Sequence, residues 1–218
     1  MKSDLNLKKD IEAELSWDVS INAANVGVSV DGGVVTLSGH IDNFAQKTAI
    51  EKAVKRVSGV QAIAVELDVK LDPLHQRSDT DIAKAAESAL DWHTLVPRDT
   101  ITASVEKGWV KLTGEVDWEY QRANAANAVR DLVGVIGVIN LVTLKARAQP
   151  GDVSSRIREA LARQASRDAA RITPAIDGHT VTLKGTVPSW SERGAAQAAA
   201  YSAPGVSKVI NELRVVNA

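Results

Sequence analysis

The residues able to carry covalent or metal chemistry are few and scattered. The 218-residue chain has no cysteine and four histidines, His40, His75, His93 and His179. Without thiols there is no thiolate nucleophile, no iron–sulfur cluster, no cysteine zinc site and no disulfide framework. The sequence has no His-x-x-x-His pair, no Gly-x-Ser-x-Gly elbow and no P-loop. Asp31-Gly32-Gly33 reads as a hairpin turn rather than the approach to a helix, so it is not expected to cradle a phosphate. His93, beside Trp92 near a helix end, reads as a solvated side chain. With no set of nucleophile, base and orienting group, neither catalysis nor a metal or cofactor is expected. What remains suits binding: an arginine series, Arg156, Arg158, Arg163 and Arg167, and five tryptophans, Trp17, Trp92, Trp109, Trp118 and Trp190.

The elements that position these residues are written three times. Val35-Thr36-Leu37-Ser38-Gly39, Val110-Lys111-Leu112-Thr113-Gly114 and Val181-Thr182-Leu183-Lys184-Gly185 share the pattern Val-x-Leu-x-Gly, offset by 75 and then 71 positions. The same offsets carry Gly59-Val60 onto Gly134-Val135 and Gly205-Val206, and Leu15 onto Leu90 and Leu161. A repeat in gap-free register marks a tandem array of one folding unit. The difference in offset lies in the links, 71–78 and 146–151, which carry proline and polar residues.

Within a unit the apolar period changes in a fixed order. Leu7, Ile11 and Leu15, like Val153, Ile157 and Leu161, repeat every four residues and predict a short amphipathic helix. Val26, Val28 and Val30 alternate before the Asp31-Gly32-Gly33 turn, and Val35, Leu37, Gly39 and Ile41 alternate after it, which predicts a hairpin. A second helix is expected from about Asn43 to Val57, with Ile50, Ala53, Val54 and Val57 on one face and Gly59 past its end. Ile63, Val65, Leu67 and Val69 make the last strand. The fold class is therefore α+β, three tandem αββαβ modules over residues 1–71, 79–145 and 152–218, each a three-stranded mixed sheet with two helices on one face. By parity, Gly39, Gly114 and Gly185 point toward the helices, where they are expected to admit a close helix approach.

The residues of this pattern resemble the BON domain, named for bacterial osmotically inducible and nodulation proteins. The third unit carries Val181-Thr182-Leu183-Lys184-Gly185-Thr186-Val187, then Trp190 and Arg193, then Gly205-Val206, Val209, Asn211, Leu213 and Val215. The second supplies Gly114, Val116, Trp118, Gly134-Val135, Val138 and Asn140, while the first has Phe44 near the tryptophan position and Val65 in place of asparagine. The resemblance implies a non-enzymatic αββαβ domain associated with phospholipid membranes, usually of the bacterial envelope, and often with osmotic stress. The first unit, lacking both tryptophan and asparagine, is expected to be purely structural.

Charge and aromatic placement give the candidate sites. The chain holds 26 basic and 27 acidic residues, unevenly spread: 8 and 10 in residues 1–71, 7 and 10 in 79–145, and 10 and 6 in 146–218. Arg156, Arg163 and Arg167 fall on one stripe of the third unit's first helix, which is either a solvated face or a contact for anionic headgroups. Trp118 and Trp190, at the start of the second helix, with Arg193 nearby, are either interfacial rings beside those headgroups or staples against the sheet. Trp17 and Trp92 are expected to plug the end of the first helix. On the open sheet face, Trp109, Ile139 and Leu141 make the middle unit unusually apolar, so another module or another chain is expected to cover it, a second copy included. The partners expected are thus anionic phospholipids or a protein; nucleic acid is not expected of a chain of net charge −1. With no apolar segment following Met1 and no run of about 18 apolar residues, a cytoplasmic protein peripheral to the inner membrane is expected, with a periplasmic location, as in typical family members, the alternative.

Overall fold

The computed structural model describes residues 2–145, 159, 171–203 and 205–216. The first module runs α1 (Asp4–Trp17), β1 (Val26–Asp31), β2 (Val34–Ile41), α2 (Phe44–Arg56) and β3 (Ala62–Val69). The second runs α3 (Asp79–Trp92), β4 (Ile101–Glu106), β5 (Trp109–Val116), α4 (Glu119–Arg130), β6 (Gly137–Asn140) and β7 (Thr143–Leu144). The third shows β8 (Ile172–Asp177), β9 (Thr180–Val187), α5 (Trp190–Tyr201) and β10 (Lys208–Val215). Its expected first helix, with Val153, Ile157 and Leu161, lies outside the described residues.

Each sheet combines an antiparallel hairpin with a parallel crossover through the second helix. The registers coincide: Leu37 lies opposite Val28 and Val65, Leu112 opposite Ala103 and Asn140, and Leu183 opposite Pro174 and Asn211. The last strand of the second module is split into β6 and β7, with Asn140 Oδ1 accepting the Val142 amide at 3.1 Å at the break.

Local chemistry starts and places the helices. Ser3, Asn43, Ser78 and Ser189 accept backbone N–H groups of the first turns of α1, α2, α3 and α5, each cap contributing about 1 kcal/mol. At α4, where Trp118 stands at the cap, Gln121 Oε1 instead accepts the amides of Asp117 and Trp118, both at 3.0 Å. Asp4, in the first turn of α1, receives the Gly32 and Gly33 amides at 2.9 and 3.1 Å, and Asp79 receives those of Lys107 and Gly108. The hairpin turns thus spend their amides on the module's own carboxylate.

Each module has its own core. In the first, Leu7, Ile11 and Leu15 of α1 and Ile50, Ala53 and Val54 of α2 close over Val35, Leu37, Ile41 and Leu67 of the sheet. The second repeats this with Ile82, Ala86, Leu90, Ala125 and Val129 over Val110, Leu112 and Val116, and the third brings Ala196, Ala199 and Ala200 against Val181, Leu183 and Val187. Each fully buried Leu, Ile or Val contributes roughly 1.5–3 kcal/mol.

Two expectations are corrected here. Gly39, Gly114 and Gly185 do not face the helices: they have φ of +117°, +137° and +128°, and a Cβ there would run into the carbonyl oxygens of Asn25, Thr100 and Arg171, just before each first strand. The glycine serves a backbone crossing at the hairpin's open end. Trp17 and Trp92 do not plug the helix ends; they are 82% and 88% exposed. Two residues beyond Leu15 or Leu90 is a rotation of about 200° around a helix, which carries the ring to the opposite side from the buried row. Gly114→Ala is expected to destabilise the chain by about 2 kcal/mol or more, since it adds both a left-handed side chain and a backbone collision; an unchanged urea midpoint would contradict this account of the crossing.

Candidate binding surfaces at the module joints and the open sheet

The second helix is fastened to the last strand by one residue position in each module. Lys47, Arg122 and Arg193 correspond under the repeat offsets. Lys47 Nζ donates to the Leu67 carbonyl at 3.1 Å, and Arg193 Nε donates to the corresponding Leu213 carbonyl at 3.1 Å, with its Nη2 on Asn211 O at 2.7 Å. Asn211 Nδ2 returns a bond to Arg193 O at 3.1 Å, and Asn140 does the same to Arg122 O at 2.9 Å. In the first module, where Val65 replaces the asparagine, the lysine alone makes the tie.

The modules dock through the ends of these second helices. Phe44, at the start of α2, packs against the second module's core, and Leu144 packs against the third's. Trp190, at the start of α5, packs against the first module's core, where α2 and α5 also touch. The Arg193 guanidinium lies 5.0 Å from the centroid of the Trp190 ring, while the indole N–H is buried without an acceptor among the described residues. Arg122 lies 5.4 Å from the Tyr201 ring centroid across the joint between the second and third modules, donates to its hydroxyl at 3.4 Å, and pairs with Glu119 at 2.7 Å. Burial works against the Arg122 charge, yet the bond to Glu119 and its negative charge, with Tyr201, hold the pKa above the usual arginine value.

These positions revise the expected sites. Trp190 packs into the joint and Arg193 donates to strand carbonyls, so both half-buried side chains make contacts within the chain. Trp118 stands half-buried on the wall of a groove between α4 and α5. Arg156, Arg163 and Arg167 lie outside the described residues. Trp109 of β5, Ile139 of β6 and Leu141, just past the end of β6, are 45%, 42% and 54% exposed. The indole of Trp109 lies across Gly137, directly opposite it in the ladder, where a side chain would collide with the ring. Among the described residues, no other module covers this patch. Phe44 was noted in the sequence only as standing near the tryptophan position, and Glu119 and Tyr201 were not singled out; the repeat offsets, which align Phe44, Glu119 and Trp190, are the signal that marks the first two.

No group of His, Asp or Glu among the described residues is arranged to hold a metal, and no described helix is long and apolar enough to cross a membrane. The family model described as BON domain matches residues 3–70, 78–146 and 151–217. The chain is similar to osmotically-inducible protein Y of Escherichia coli (strain K12), 27% identical over 148 residues, covering 63% of this chain and 70% of that protein. Among solved structures, it is similar to the C-terminal domain of CdsD, a structural protein of the type III secretion system of Chlamydia trachomatis, at 17% identity and a TM-score of 0.27, covering 99% of this chain and 100% of that one. A second CdsD structure matches at 18% identity and a TM-score of 0.24, covering 98% of this chain and 93% of that one.

The two classes of tryptophan should separate on mutation. Trp190→Ala is expected to cost about 3 kcal/mol, near the low end for a large aromatic removed from a core, whereas Trp17→Ala and Trp92→Ala should stay within about 0.5 kcal/mol. Equal costs for all three in chemical denaturation would contradict the docking role of Trp190.

Proposed function

The chain belongs to the BON domain family, in three copies, and on that premise we propose that it is a non-enzymatic binding protein of the osmotic stress response that associates with anionic phospholipid surfaces. The observation that carries the reading is the charge of the third module with the link before it: residues 146–218 hold 10 basic and 6 acidic residues, whereas each of the other two modules has an acidic excess. Arg156, Arg163 and Arg167 repeat at helical spacing, and each basic residue near an anionic surface contributes on the order of 1 kcal/mol. The similarity to a protein named for osmotic induction supports the stress setting. With Trp190 and Arg193 committed to internal contacts, the arginine stripe is the principal membrane element of this reading, and Trp118 is the interfacial ring still open to solvent on one side.

A second reading has its own observation. The exposed Trp109, Ile139 and Leu141 form an apolar surface that water does not favour, which supports docking of another protein on the middle sheet. Salt separates the two, since attraction between arginines and headgroups is screened while apolar contact is not.

Flotation of the purified protein with neutral or phosphatidylglycerol-containing vesicles, at low and high salt, tests the lipid reading. The anionic vesicles should carry the protein at low salt only. Arg163→Glu/Arg167→Glu should weaken partitioning by roughly thirtyfold or more, the equivalent of about 1 kcal/mol for each reversed charge. Absence of flotation under every condition sinks the lipid reading and leaves the open sheet face as the site to pursue.

A further inference from the structure

The three joints are assembled from corresponding parts, and one of them lacks a part. Between the first and second modules, Phe44 reaches the end of α4 and the following loop, and spaces of about 240 and 460 Å³ remain on either side of the joint. The repeat offsets carry Phe44 onto Glu119 and Glu119 onto Trp190. Phe44 and Trp190 each pack against a neighbouring core, but Glu119 turns back to pair with Arg122 of its own helix. The corresponding space between the second and third modules is an open groove of about 590 Å³. Its sides are Trp118 and Tyr120 of α4, and its base is Gly194, Ala198 and Tyr201 of α5. A Cβ built on Gly194 would meet nothing within 4 Å.

We propose that this groove receives an aromatic side chain from a partner protein, in the place that Phe44 and Trp190 fill from within the chain at the other two joints. The lining fits such a ring: Trp118, Tyr120 and Tyr201 offer faces and edges for offset or perpendicular aromatic packing. The small residues at the base leave depth for it. Arg122 is already neutralised by Glu119, so the groove favours an uncharged group over an acidic one. An aromatic anchor entering a preformed pocket is also the arrangement in which a single residue contributes most to protein association. The site shares Trp118 with the lipid reading but uses neither the third module's arginine stripe nor the open sheet face, so Arg163→Glu/Arg167→Glu, which weakens flotation, should leave peptide binding unchanged.

The test uses the full chain and the peptide acetyl-Gly-Trp-Gly-amide, followed by amide NMR shifts of Gly194 and Ala198. Saturable shifts are expected, with acetyl-Gly-Leu-Gly-amide binding at least tenfold more weakly. Glu119→Phe restores the missing ring from the chain's own side and should abolish peptide binding while raising the thermal midpoint. Gly194→Phe, which grows into open space, should abolish binding as well, and it carries the test if Glu119→Phe does not fold. Absence of saturation with the tryptophan peptide overturns the proposal, as does equal binding by the leucine peptide or unchanged binding by folded Gly194→Phe. Binding of free indole without binding of the peptide also overturns it, because the groove would then serve small aromatic molecules rather than a partner's side chain.

Discussion

An αββαβ unit of about 70 residues is near the lower limit at which a single apolar core sustains a fold. Two helices over three strands bury one row from each helix and alternate residues of the sheet, and little else. The third module shows the limit most plainly, since its second helix offers mainly alanines to the sheet, Ala196, Ala199 and Ala200. Docking supplies what each core lacks. Phe44 and Trp190 each pack against a neighbouring core, and Leu144 lies against both its own core and the third module's, so the stability of every unit includes a contribution from another.

That dependence explains where polar interactions are placed. The ties between Lys47, Arg122 or Arg193 and the last strand fix the second helix along the sheet, and in α2 and α5 the same helix start delivers the aromatic group into the adjacent core. A shift of that helix would therefore disturb two modules together. Arginine at this position also stacks on aromatic rings, on Trp190 within one module and on Tyr201 across a joint. A charged residue thus serves as both a fastener and part of an apolar contact, through its planar, weakly hydrated guanidinium.

Much of the fold was legible in the sequence because its signals are periodic and local. Leu7, Ile11 and Leu15 announce a helix, and Val35 and Leu37 a strand, without reference to distant residues; both sets are buried as expected. The readings that failed needed information that periodicity lacks. Gly39 has inward parity, yet a carbonyl from the segment before β1 occupies the space beside it. Trp17 looks like a plug until its rotation from Leu15 is counted. Trp190 was legible as a helix-start residue but not as a ring in another module's core, because its partners lie more than a hundred positions away and no spacing rule links them. The candidate site was legible only in part. The apolar patch at Trp109 follows from strand alternation, whereas the groove beside Glu119 emerges only when the joints are superposed through the repeat.

The direction of docking has a consequence for copy number. If each unit contacted only the next, as in an open solenoid, units could be gained or lost at either end with the remaining contacts intact. Here the third unit returns to the first through Trp190, as head-to-tail contacts do when their rotation closes. Deleting any one unit removes two joints together, and inserting a fourth would have to reopen the circuit. The surfaces of the three copies can diverge without disturbing that circuit.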